Sequence, residues 1–313
     1  MNDEPEQQPP WVPEVRTDCP VEVPQQAWIE ASMAWFAREF GREPVMRATV
    51  VPSSELRSTA VTPTPRQIEG LVSGLCELME VDRAELTLEL FDRAGEDPAA
   101  ARKERRTVGH YYVENGRPVI GLDVTEASDV CYLTAVIAHE LCHVRLLGEE
   151  RITADRKDHE RLTDLLTVYF GLGVFTANAA LRFGETKRGF SVQPLGYLDE
   201  RTLNATRNDG YSRLGYLTER EFGYAMACYA WLRRDTEPDW ARSLDPGLRV
   251  LLRQGLAYLS RNAAPGEFPT PRSGSVRLSV RVVPKADPVW LGGLCLMFTG
   301  TEWPPNAPKH RPR

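Results

Sequence analysis

Residues 128–148 read SDVCYLTAVIAHELCHVRLLG, and the pentapeptide His139-Glu140-Leu141-Cys142-His143 within them decides how the whole chain is read. Val130, Leu133, Ala135, Val136, Ile137, Leu141, Val144 and Leu147 make a broad apolar set, the pattern of a buried helix. Ser128 is placed to cap its start and Gly148 to end it. Histidines four residues apart leave the same helix face, one turn above the other. That spacing suits two corners of a tetrahedral Zn²⁺ site. Glu140 lies about 100° round from His139, within reach of a water at the metal as general base rather than ligand. If no metal is bound, two buried imidazoles need other hydrogen-bond partners.

A catalytic zinc takes a third protein ligand and keeps a fourth position open. The segment DHERLTD at 158–164 opens a second helix after the acidic pair Glu149-Glu150. Glu160 and Asp164 share one face of it, so one carboxylate can bind the metal while the other accepts the free N–H of a ligand imidazole. Residue type and spacing leave open which does which, and Asp164 stands as the alternative third ligand. His159 points about 100° away from Glu160. It is a candidate hydrogen-bond donor to a substrate oxyanion, a surface histidine or, less simply, a ligand. His110, His159 and His310 do not complete the extension of a three-histidine site. Cys142 fits core packing better than ligation.

The sequence His139-Glu140-Leu141-Cys142-His143 followed by Glu160-Arg161-Leu162-Thr163-Asp164 resembles the gluzincin clan of zinc metallopeptidases. The resemblance covers residues 84–175. It implies that His139, His143 and Glu160 hold Zn²⁺, that Asp164 orients a histidine, and that Glu140 activates the zinc's water. The implied activity is hydrolysis of peptide bonds in a protein or peptide substrate. The alternative is a non-catalytic zinc-binding regulatory or interaction protein on a zincin fold.

Around this centre the chain has helix and strand signals in turn. A helix is expected over residues 24–40, where Trp28, Met33, Trp35 and Phe36 supply aromatic and apolar weight. Met46–Val51 alternates weakly as a strand. Thr64-Pro65-Arg66-Gln67 is a capping box that opens a helix with Ile68, Leu71, Val72, Leu75 and Met79 at helical spacing. Strands follow at 86–91, 108–113 and 118–124, the last two joined by Asn115-Gly116, a hairpin signal. Val119–Asp123 is the candidate free edge for strand addition by a peptide. A second capping box, Thr218 with Glu221, and an amphipathic run from Pro246 predict two later helices, and residues 275–283 alternate as a strand.

The expected fold is α+β and zincin-like: a small, mostly antiparallel sheet packed on an active-site helix pair, with a second, mainly helical lobe. The expected divisions are a flexible arm at 1–23, the metal-site lobe at 24–183, the helical lobe at 184–303 with its late strand, and a disordered tail at 304–313. Cys19, in the arm, is a candidate mask for the metal's open position. Tyr211 is a candidate substrate contact.

The chain has 313 residues, 42% of them hydrophobic, enough for a sizeable core. Its net charge of −6 argues against nucleic acid as a partner. The acidic opening Met1-Asn2-Asp3-Glu4 is unlike a secretory signal, and no uninterrupted apolar run predicts a membrane span. The six scattered cysteines lack a Cys-x-x-Cys pair and fit a reduced, cytoplasmic protein.

Overall fold

The computed structural model describes residues 16–52, 63–91, 109–124, 129–182, 217–264 and 266–267. Ser128, Tyr211, the strand expected at 275–283 and the tail from 304 lie outside the described residues. The described chain is mixed α+β, mostly helical, with a three-stranded sheet.

Helix α1 (Val23–Glu39) buries Ile29, Met33 and Phe36, one stripe at helical spacing. Gly41 then turns the chain at a φ of 76°, and a short helix α2 (Glu43–Met46) follows. No strand forms at 46–51. Met46 and Val51, two apolar letters of that weak alternation, are exposed, and the Val50 N–H donates to the carbonyl of Gly171 rather than to a ladder. Helix α3 (Pro65–Met79) begins with the expected capping box, in which the Thr64 side chain and Gln67 bond reciprocally. It ends on Glu80 in the left-handed region.

Strands β1 (Thr87–Phe91), β2 (Gly109–Glu114) and β3 (Arg117–Asp123) form a sheet of order β1-β3-β2. Asn115 and Gly116, at φ of 51° and 79°, make the two-residue hairpin turn between β2 and β3. Two expectations about this sheet are corrected. One of its two pairings, β1 with β3, is parallel. Val119–Asp123 is also no edge, because β3 is central, paired on both sides, and buried from Val119 to Asp123. Among the described residues the free edge beside the histidine helix belongs to β2.

Helix α4 (Val130–His143) is capped by Asp129, whose Oδ1 accepts the N–H groups of Cys131 and Tyr132 at 2.9 and 3.1 Å. Every residue from Leu133 to His143 is buried. The α-helix does not continue to Gly148. After His143 it widens into a π-turn, Val144–Gly148, in which the Glu149 N–H reaches back five residues to Val144. Arg145 in this turn lies under the rings of Phe40 and Phe170 and donates to the Glu80 carbonyl at 2.9 Å and to Glu149 at 2.6 Å. Val130–Gly148 is long and apolar enough to cross a membrane, with mean hydropathy 1.4, yet it is mostly buried inside the protein as a core helix.

The sheet, α3, α5 (His159–Tyr169) and α6 (Gly173–Arg182) all pack on α4. Helices α7 (Glu219–Leu232) and α8 (Pro246–Asn262) pair with each other, and α7 packs on α1, α5 and α6. One apolar cluster runs from Ile29 to Leu259 through all these helices. The Thr218 capping box forms as expected, with Glu221 accepting the Thr218 N–H at 2.8 Å. Phe36 sits in this core against Trp35, Phe40 and Tyr169. Phe36→Ala should therefore cost about 3–5 kcal/mol, read as a lowered urea midpoint with unchanged slope.

Candidate metal centre

Both histidines of α4 face the first turn of α5. Their rings are 4.9 Å apart, nearly perpendicular, and 5–7% exposed. Glu160 Oε2 lies 3.1 Å from His139 Nε2 and 3.4 Å from His143 Nε2. One nitrogen from each histidine and one oxygen of Glu160 lie within 4.8 Å of one another, so the three could hold a metal ion. Among the described residues this is the one such group.

A second ring of contacts aims these side chains. His139 Nδ1–H donates to Asp164 Oδ1 at 2.9 Å, which leaves Nε2 for the centre. Asp164 Oδ2 in turn accepts the backbone N–H of Leu217 at 3.0 Å. The structure thus groups Glu160 with the histidines and puts Asp164 behind His139. The Thr163 hydroxyl donates to the His159 carbonyl at 2.8 Å, and its oxygen lies a long 3.5 Å from His143 Nδ1. Tyr111 of β2 stacks on the His143 ring, 5.8 Å away and 18° from parallel.

His159 stands at the rim. Its Nδ1–H donates to the Arg156 carbonyl at 2.7 Å, and its Nε2 is 3.1 Å from Glu160 Oε1. The start of α5 is held from outside. Trp28 Nε1–H donates to Asp158 at 2.7 Å, the Arg161 guanidinium covers the Trp28 ring at 4.3 Å, and Arg161 pairs with Glu221.

The charges around the centre suit a cation. Burial works against a charged His139, but hydrogen bonds to Asp164 and Glu160 outweigh it and raise the imidazole to about 10. Burial also opposes ionisation of Glu160, yet hydrogen bonds with His139 and His143 hold it well below the usual carboxylate range. His143 is lowered, chiefly by burial. A site that stabilises a proton among two imidazoles and a carboxylate offers the same electron pairs to a metal ion. The donor set, two nitrogens and one oxygen, therefore fits.

Glu140 behaves differently from Glu160. It is 5% exposed, and its carboxylate has no hydrogen-bond partner among the described residues. Burial pushes it up to about 7, with His139 opposing and Glu160 adding to the shift.

Other sequence candidates fall elsewhere. Cys142 is fully buried in the core, its thiol raised far up by burial. Cys19 lies beside Glu30 and Tyr224 rather than at the centre, and burial raises it to about 11, so it does not mask the metal's open position. The reason is packing: residues 17–20 are tied to α7 and α8 through Arg261, Gln254 and Arg220. His110 stacks between Phe91 and Tyr112, away from the centre. Sequence reasoning missed Thr163, Tyr111 and the Leu217 amide, since none of them has a motif signal.

Asp164→Asn should weaken binding of the metal by about 10–100-fold, measured by competition with a chromogenic chelator. Unchanged affinity would show that Asp164 does not orient His139.

No family model, curated protein or solved structure matches the sequence.

Proposed function

We propose that this chain is a zinc-dependent peptidase of gluzincin type on a zincin-like fold. The observation that carries the proposal is Glu140: a residue 5% exposed whose carboxylate meets no hydrogen-bond donor among the described residues, next in sequence to a histidine of a His-His-Glu cluster. Structural sites are usually closed by four protein ligands, whereas catalytic zinc keeps three and an open position. His139, His143 and Glu160 would be those three. Zinc, when bound, acidifies water and polarises a carbonyl.

The chain's own residues do the rest. Glu140 takes the proton of the attacking water and returns it to the leaving amine. Burial raises its affinity for a proton, which favours that return. Asp164 keeps the Nδ1 proton of His139 directed away from the centre, and the Thr163 oxygen lies on the Nδ1 side of His143. His159 steadies Glu160 through Oε1, so a part for it at the oxyanion requires its Nε2 to turn away from that oxygen.

The substrate in this proposal is a protein or peptide in extended form, added to the free edge of β2 beside the centre. A cytoplasmic setting belongs to the same reading, because the described cysteines are free thiols.

Glu140→Gln should keep one equivalent of zinc and lose about 10²–10⁴-fold in kcat on a cleavable member of a peptide library. Full activity in that variant would remove Glu140 from the mechanism. A chelator should abolish cleavage by the native protein, with zinc restoring it. Stoichiometric zinc without cleavage of any library peptide would instead favour the non-catalytic reading.

A further inference from the structure

Gly109 opens β2, buried and paired opposite Leu122 of β3. Its backbone is not among those with positive φ, so conformation does not call for glycine there. Space does. A Cβ at 109 would lie 2.5 Å from Val136 Cγ1, 2.9 Å from Glu140 Oε1 and 3.0 Å from Glu140 Cγ. Val136 and Glu140 are four apart and share one face of α4. The bare backbone of β2 therefore lies against the helix face that bears the proposed base. Two residues on, on the same side of the strand, Tyr111 stacks on His143.

We propose that Gly109 is the positioning residue for Glu140: its missing side chain is the space the carboxylate occupies. This rests on the reading of Glu140 as the base of a hydrolytic centre. Glu140 has no hydrogen bond among the described residues to hold it, so its place is set by packing. A side chain at 109 pushes the carboxylate aside and leaves the metal ligands alone, since none of its three nearest atoms belongs to His139, His143 or Glu160.

The competing explanation is packing against Val136 alone, and a pair of variants separates the two. Gly109→Ala/Val136→Ala removes the closest clash and keeps the one with Glu140; Val136→Ala alone is the control. The double variant should bind zinc with native stoichiometry and affinity, keep KM within about twofold of the control and lose about 10²-fold in kcat. Adding Glu140→Gln should cost nothing further. A double variant as active as the control assigns Gly109 to helix packing and overturns the proposal. If the double variant does not fold, Glu140→Ala in the same chain decides: restored folding places the clash at Glu140, and failure to restore it overturns the proposal. A readout independent of peptide cleavage is the crystal structure of the double variant together with the visible spectrum of its cobalt(II) form. A displaced Glu140 with an unaltered spectrum, the ligands in place, supports the proposal even if the native protein cleaves nothing, which would sink the peptidase reading alone. An unmoved Glu140 overturns it.

Discussion

A buried imidazole left without partners costs about 1–3 kcal/mol per unsatisfied group, and His139 is 5% exposed in the middle of the core. The chain from Leu217 N–H to Asp164 to His139 meets that demand. It also joins three parts of the molecule: α4, α5 and the entry to α7. Much of the architecture follows from keeping these elements in register. Trp28 grips the start of α5 through Asp158, Arg161 links it to Glu221 at the start of α7, and α1 closes over both helices. Removing the carboxylate at 164 would leave both a buried N–H of His139 and the Leu217 amide seeking new partners.

The two glutamates show how environment divides roles within one residue type. Glu160 touches three histidine nitrogens, and burial is outweighed by those contacts, so it stays ionised and suits ligation. Glu140 has burial and, among the described residues, no donor, so it holds a proton more readily and suits proton transfer in the proposed reaction. Pairs of titratable groups pushed in opposite directions are what acid–base and metal chemistry share a site to exploit.

The π-turn after His143 has a structural role near the same centre. It carries Arg145 under Phe40 and Phe170, where the guanidinium joins the end of α3 to the end of α4 through the Glu80 carbonyl. A helix that widens within one residue of a candidate ligand fits the known concentration of such bulges at functional sites.

Local features were legible in the residues themselves. The four-residue spacings put His139 with His143, and Glu160 with Asp164, on shared helix faces. The Thr64 and Thr218 boxes and the Asn115-Gly116 turn formed as their letters implied. Such features depend on backbone geometry within a few residues, so sequence determines them. Which carboxylate joins the histidines, which strand is the edge, and why residue 109 is glycine were decided only in three dimensions. The face of α5 that meets α4 is set by tertiary packing between residues 17 to 25 positions apart, such as His143 with Glu160 and His139 with Asp164. β3 became central because β1 and β2 pair with it on both sides, and periodicity says that a strand exists without naming its neighbours. Gly109 carries no signal at all until Val136 and Glu140 stand against it.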